Sequence, residues 1–263
     1  MAMAFGDGGC GGLCADRLDL DFTMAFQLIV DVANGGVWAH EALVRGVQGQ
    51  GAGWVLDQVT DATRYAFDQS CRVKAIELAA SLPMNGARLS INFLPNAVYK
   101  AETCIRTTLA AARRTGFPTN RIIFEVTEGE RVADRDHLKS IFDEYRRQGF
   151  MTAIDDFGSG YSGLNLLAEF QPDIIKLDME LTRNIDTERA RRSIVKAILS
   201  VCEDLDIIPI AEGVETLDEA RTLRDLGVGL MQGYLFARPA FEALVAEPDL
   251  AVPARQDRTG AVM

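Results

Sequence analysis

The chain has 263 residues, 48% hydrophobic and 25% charged, enough for one large globular unit or two small ones with a sizeable core. That composition excludes disorder, collagen and coiled coil as whole-chain descriptions. The 38 acidic against 27 basic side chains give a formal charge of −11, which repels polyanions and argues against a nucleic-acid polymer as partner.

Met1 to about residue 20 is Gly-rich and weakly patterned, and reads as a flexible leader; residues 247–263 read as a flexible tail. Between them, 21–246 reads as one domain. No apolar run reaches the roughly 18 residues that span a bilayer, and the N-terminus lacks a basic start and an apolar h-region. The expectation is a cytoplasmic protein without a membrane partner. Five cysteines are too scattered for a disulfide framework; Cys71, Cys104 and Cys202 sit in apolar, helix-like contexts and read as small buried hydrophobes. Cys10 and Cys14 form a CxxxC with no second Cys or His pair nearby, so a mobile leader is preferred to half a metal site.

Phe26–Val32 and Val37–Val44 flank Asn34-Gly35-Gly36 as a β-hairpin would. The stretch from Trp54 to Leu82 has helical spacing and length enough for two helices. Strand-like runs follow at Leu89–Phe93, Ile122–Val126, Thr152–Phe157, Ile174–Leu177, Ile207–Ala211 and Leu230–Phe236, separated by helical segments. Gly116, Gly149 and Gly227 stand where helices should stop, and Thr216 to Glu219 reads as a capping box. Strand-helix alternation at this length predicts an α/β protein, a (β/α)₈ TIM-like barrel rather than an open doubly wound sheet.

The strand ends carry Glu41, Asn92, Glu125, the pair Asp155 and Asp156, Lys176, Glu212 and Gln232. In a parallel barrel these ends converge on the face where barrel enzymes keep their active sites. Any one strand-end acid is more often a cap or a solvated loop residue, but recurrence at most strand ends argues for a shared site. Two unit charges 4 Å apart cost about 4 kcal/mol at an effective dielectric near 20, so five anions need more cation than Lys176 supplies. Carboxylates and an amide oxygen are hard ligands that suit Mg²⁺ or Mn²⁺. Two such ions sharing a carboxylate would suit hydrolysis of a phosphodiester or a phosphomonoester, with Lys176 near the attacking water and Arg45 reaching a phosphate.

Other features carry less. His40 should point away from Glu41 on a strand and reads as packing or support, and His137 as a solvated helix residue. Gly158-x-Gly160-x-x-Gly163 follows a strand, opens a helix and has Asp178 about twenty residues on, a formal dinucleotide fingerprint. Asp155 and Asp156 just before it would oppose a pyrophosphate, so a mobile loop over the metal site is preferred.

Taken together, Glu41-Ala42-Leu43 with Arg45, Ser90-Ile91-Asn92, Phe124-Glu125-Val126-Thr127-Glu128, Asp155-Asp156-Phe157-Gly158, Ile175-Lys176-Leu177-Asp178, Ala211-Glu212-Gly213-Val214-Glu215 and Gln232-Gly233-Tyr234-Leu235-Phe236 resemble, in order, the motifs of the EAL family of cyclic di-GMP phosphodiesterases. The resemblance implies hydrolysis of cyclic di-GMP to linear pGpG on a barrel whose first strand runs antiparallel. It implies two Mg²⁺ or Mn²⁺ ions, with Ca²⁺ inhibitory. Glu41, Asn92, Glu125 and Asp155 would hold one ion, Asp155 and Asp156 the other, with Glu212 contributing directly or through water. Lys176 would assist the water, with Glu41 and Glu212 also in the catalytic set, and Glu128 would hold the 155–164 loop. Gln27, Leu43, Arg45, Asp178, Glu215, Gln232 and Pro239 would meet the dinucleotide. A homodimer and a regulatory sensor partner are further expectations. Leu28, Gly46 and Leu94 depart from the family's usual residues without removing a ligand. The competing class is a silent cyclic di-GMP receptor, and a third reading is a metal barrel for enolisation.

Overall fold

A computed structural model describes residues 19–98, 100–128, 135–160, 163–245 and 252. Most of the expected leader and tail, Cys10 and Cys14 included, lie outside these residues. Val252 is an exception within the tail: it is buried, and its carbonyl accepts from Arg224.

The first two strands, β1 (Phe22–Asp31) and β2 (Gly36–Gly46), form the expected hairpin, with β1 beginning four residues before Phe26 and β2 ending two residues after Val44. Two helices follow, α1 (Ala52–Leu56) and α2 (Arg64–Ser81). The alternation then runs β3 (Arg88–Asn92), α3 (Ala101–Thr115), β4 (Ile122–Thr127), α4 (Arg135–Arg147), β5 (Met151–Phe157), α5 (Gly163–Glu169) and β6 (Ile174–Leu177). It continues through α6 (Met179–Thr182), α7 (Arg189–Asp204), β7 (Ile208–Ala211), α8 (Leu217–Asp225) and β8 (Leu230–Met231), with a last short strand β9 (Ala240–Phe241).

Strands β2 to β8 pair in sequence order and parallel, and β1 closes the barrel antiparallel to both β2 and β8. The fold is the expected α/β barrel with a reversed first strand. Gly116, Gly149 and Gly227 have φ of 73°, 86° and 104°, as left-handed helix stops require. Thr216 and Glu219 make both halves of the capping box. Cys71, Cys104 and Cys202 are buried free thiols. No helix among the described residues is long and apolar enough to cross a membrane.

Two expectations need correction. The last strand is only Leu230–Met231, not Leu230–Phe236, because Gly233 passes so close to the 214 backbone that a β-carbon there would lie 2.0 Å from the Val214 carbonyl oxygen. The chain then turns, with Phe236 and Ala237 both donating to the Gly233 carbonyl. His137 is half-buried rather than solvated, its Nε2 bonded to the Val98 carbonyl.

The barrel interior is layered. Ile29, Ala39, Ile123, Ala153, Ile174, Ile210 and Leu230 form a separate apolar cluster that plugs one end. Side chains on a strand alternate faces, so the next inward positions lie two residues along. Those are Glu41, Glu125, Asp155, Lys176, Glu212 and Gln232, and on the reversed strand Gln27. The polar layer rests on the apolar plug, and the larger core between strands and helices surrounds both.

Within that larger core Arg72 is fully buried, 2.7 Å from Asp68 and bonded to the Tyr145 hydroxyl, with its guanidinium over the rings of Phe93 and Phe124. Asp68 in turn accepts from the Leu94 amide at 2.9 Å and so fixes the loop that leaves Asn92.

Candidate active site

Lys176, with no exposed surface, is the centre of the polar layer. Its Nζ lies 3.3 Å from Glu41, 3.0 Å from Glu125, 2.9 Å from Asp155 and 2.7 Å from Glu212. Ser90 donates to the other oxygen of Glu125. Asn92 donates to Glu41 at 3.0 Å, and Gln232 bridges Glu41 at 2.8 Å and Gln27 at 3.2 Å. Gln27 donates onward to the Ala237 carbonyl. Glu41 lies in the middle of β2 and not at its end as expected, because this strand runs five residues further, to Gly46.

Adjacent aspartates on a regular strand would point to opposite faces. Here β5 breaks register against β6 between Ile154 and Phe157, and Asp156 takes φ 54°. The bulge turns both Asp155 and Asp156 into one cleft. That cleft, about 290 Å³, is walled by Gln27, Glu41, Glu212 and Gln232 below and by Asp178, Glu215 and Tyr234 towards its rim. Asp178 also caps α6 through the Glu180 amide. Leu43, Arg45 and Pro239 are half-buried and do not line the cleft; Arg45 donates to the Val44 carbonyl. At Gly46 a β-carbon would sit 2.9 Å from the Trp54 ring, so an aromatic from α1 covers this position.

Glu128 is buried, and its two carboxylate oxygens accept from the Gly158 and Gly163 amides, each at 2.7 Å. The glycine loop's amides at these two positions therefore face an anion of the protein itself, which argues against the pyrophosphate reading of the glycine pattern. His40 is buried as expected, with burial pushing its imidazole down to about 4.

The electrostatics of the layer are strained. Burial pushes the Glu125 carboxyl up to about 8 despite the pull of Lys176, with Glu41 and Asp155 adding to the rise. Burial and then Asp155 raise Glu212 well above the carboxylate range. Burial, Asp155 and Asp178 raise Asp156 to about 6. For Lys176 burial alone would release the proton, but Asp155, Glu125, Glu212 and Glu41 together outweigh it and hold the ammonium.

These donors fit divalent cations. Glu41, Glu125 and Asp155 offer oxygens within 4.8 Å of one another, and so do Asp155, Asp156 and Glu212, so that Asp155 belongs to both groups. The donors are all hard oxygens, and Asp155 Oδ1, although ion-paired with Lys176 at 2.9 Å, is buried with no hydrogen bond of good geometry.

A pH consequence follows. Carboxyls raised in the fold bind protons that the unfolded chain has already lost, so their contribution is fully present below pH about 4 and is lost as pH rises through about 6 and about 8. His40 acts in the opposite sense but only below its unfolded value of 6.5. In chelator, the melting temperature should therefore fall between pH 6.5 and 8.5, and saturating Mn²⁺ or Mg²⁺ should flatten the slope. Thermal scans across that range check it; a slope unchanged by metal would mean that these acids do not meet a cation.

Sequence reasoning missed Ser90 as a partner of Glu125, although it stands one inward step before Asn92, and it missed Met179 and Tyr234 in the cleft wall. The spacing of Ser90 was a usable signal. Met179, the first residue of α6, and Tyr234, in the turn after β8, reach the cleft from positions that no periodicity reports.

Comparison with known proteins agrees with this geometry. Residues 16–239 match the EAL domain family. A standalone EAL protein from Vibrio cholerae O395, solved in its c-di-GMP-bound form, is 56% identical with TM-score 0.85, covering 88% of this chain and 97% of that one. The manganese and cy-diGMP complex of Klebsiella pneumoniae BlrP1 at pH 6 is 37% identical with TM-score 0.81, covering 86% of this chain and 57% of that one. The Escherichia coli blue light- and temperature-regulated antirepressor BluF is 30% identical over 92% of this chain and 60% of its own length. The E. coli probable cyclic di-GMP phosphodiesterase PdeN is 32% identical over 69% of this chain and 34% of its own length. The chain thus spans about three fifths or less of these two curated relatives. With the family motifs matched along residues 16–239 and their side chains gathered at one end of the barrel, the chain belongs to the EAL domain family.

Proposed function

We propose that the protein is a metal-dependent phosphodiesterase that hydrolyses cyclic di-GMP to linear pGpG. The observation that carries this is the single buried ammonium of Lys176 among four carboxylates, three of which (Glu41, Asp155 and Glu212) line the cleft, with Asp155 shared by two oxygen triads. Glu41, Asn92, Glu125 and Asp155 would hold one Mg²⁺ or Mn²⁺, and Asp155, Asp156 and Glu212 the second. When bound, such a pair supplies positive charge at the phosphoryl group and acidifies water near neutral pH.

The remaining steps belong to side chains of the chain. Lys176 orients the attacking water and offsets charge that builds on phosphoryl oxygens. Gln232 and Asn92 hold the two oxygens of Glu41 in place, and Gln27 holds Gln232. Glu128 keeps Asp155 and Asp156 where the bulge presents them. Asp178 and Glu215 accept from donors of the nucleotide at the rim, and Leu43, Arg45 and Pro239 reach it only where it extends past the cleft. The reaction takes place in the cytoplasm, and the face beside the 155–164 loop, where Leu164 is 65% exposed, serves a homodimer or a sensor partner.

Incubating purified protein with cyclic di-GMP and Mg²⁺ or Mn²⁺, then separating the products by chromatography, tests this. pGpG that appears only with metal, and little of it with Ca²⁺, is the expected result. The likeness to an antirepressor favours a second reading, a receptor without turnover. Tight binding with no product in either metal would establish that reading, and neither binding nor product would overturn both.

A further inference from the structure

The outer wall of the cleft is built from two loops that are sewn together. Thr182 Oγ1 donates to the Glu212 carbonyl, joining the end of α6 to the residue after β7. The buried Glu219 carboxylate accepts from the Asn184 amide at 2.8 Å and from the Glu215 and Thr216 amides at 3.1 and 3.0 Å. Gly213 fits against Met179 so closely that a β-carbon would lie 2.4 Å from that of Met179. Across this seam Arg183 donates from both Nη1 and Nη2 to the two oxygens of Glu215, the latter at 3.0 Å. Arg183 is itself anchored, since its carbonyl accepts from Arg191.

This fork differs from the other contacts in where it ends. The bonds that Thr182 and Glu219 make to backbone groups already join the loops, whereas Arg183 grips a side chain that lines the cleft. Both partners are about a third exposed, and ion pairs so placed contribute little to stability. What a bidentate fork does supply is orientation. A carboxylate has about four lone-pair sites, so two remain for a ligand. The Arg183 hydrogen bonds hold the Glu215 carboxyl below the usual carboxylate range, so it is an acceptor throughout neutral pH. Paired N–H donors on one edge are what such a group recognises, and guanine presents them at N1 and its 2-amino group.

We infer that Arg183 is a positioning residue: by gripping both oxygens of Glu215 it fixes that carboxylate as the reader of a guanine edge at the rim of the cleft. This rests on the proposed substrate and deepens it, assigning base selectivity to a residue that does not itself line the cleft.

The test is steady-state kinetics of R183M, R183K and E215Q on cyclic di-GMP and on cyclic di-IMP, which lacks the 2-amino group, with melting temperatures alongside. If the enzyme binds without turnover, Kd replaces KM. R183M should raise KM for cyclic di-GMP about tenfold, with kcat changed less than about threefold, and should erase most of the preference over cyclic di-IMP. R183K should fall between, because an ammonium keeps the charge but lacks the planar fork that aligns both oxygens. R183M added to E215Q should cost nothing further. An unchanged KM in R183M, an equal loss on both nucleotides, or full additivity with E215Q would overturn the inference. Should R183M fail to fold, R183K and its double with E215Q decide in the same terms. A wild-type protein that neither binds nor cleaves cyclic di-GMP would remove the substrate reading, and this inference with it.

Discussion

Lys176→Met is expected to reduce cyclic di-GMP hydrolysis by at least about 10²–10³-fold, the scale seen when one preorganised donor to a developing anion is lost. It should also destabilise the metal-free protein. Four carboxylates lie within 3.3 Å of this Nζ, and removing one partner of a buried ion pair costs about 3–5 kcal/mol because charge is left uncompensated. The acids can relieve that cost by taking up protons, so the loss should be larger at pH 8 than at pH 6. Divalent metal should recover stability without recovering rate. Scanning calorimetry with and without Mn²⁺, beside product chromatography, separates the two effects. Retained turnover would remove Lys176 from the chemistry, and stability unaffected at pH 8 would mean that the carboxylates are not coupled through it.

Much of this site can be read along the chain. Ile123-x-Glu125, Ala153-x-Asp155, Ile174-x-Lys176, Ile210-x-Glu212 and Leu230-x-Gln232 repeat one step from apolar plug to polar layer, as alternation on inward strand faces dictates. Gln27-x-Ile29 carries the same step reversed, because β1 runs the other way. What could not be read depends on departures from regularity. That Asp155 and Asp156 share a site is legible from their adjacency and motif, but the bulge and positive φ that bring it about are not, since alternation argues against them. The length of β8 is cut by the contact of Gly233 with the 214 backbone, a meeting of segments far apart in sequence, while its apolar run to Phe236 reads as strand. His137 lies on a helix with polar neighbours and finds its partner, the Val98 carbonyl, across a loop. Arg72 breaks the apolar pattern of α2 because its charge is met by Asp68 and three aromatic rings.

Glu128→Ala should lower kcat about 100-fold while leaving most of the fold's stability intact. Its two oxygens accept from the Gly158 and Gly163 amides, and losing them strands two N–H groups at a cost of about 1–3 kcal/mol each. That cost falls on one loop, so the loop moves, and Asp155 and Asp156 at its start move with it. Glu128→Gln should do nearly as badly, because its amide nitrogen would set a donor against a backbone donor. Hydrogen exchange at Gly158 and Gly163 should accelerate in both variants while β3 and β4 stay protected. A variant with full activity, or with exchange unchanged at these amides, would sever the loop from the chemistry.

The reversed first strand shapes how the barrel holds shut. β1 meets β2 along ten residue pairs, yet it pairs with β8 at two, Val30 with Met231 and Asp31 with Leu230, followed by one bond from the Val32 amide to the Gly229 carbonyl. Those partners lie some two hundred positions apart in the chain, so this join forms after the local hairpin and bears the largest loop-closure entropy in the barrel. Like the β7–β8 join it pairs at only two positions, which makes it one of the two places where the staves are most ready to part in local unfolding. Above it Gln27 and Gln232 clasp hands across the gap, and both are walls of the cleft. The vessel is thus latched at its mouth, by the same two amides that face whatever enters.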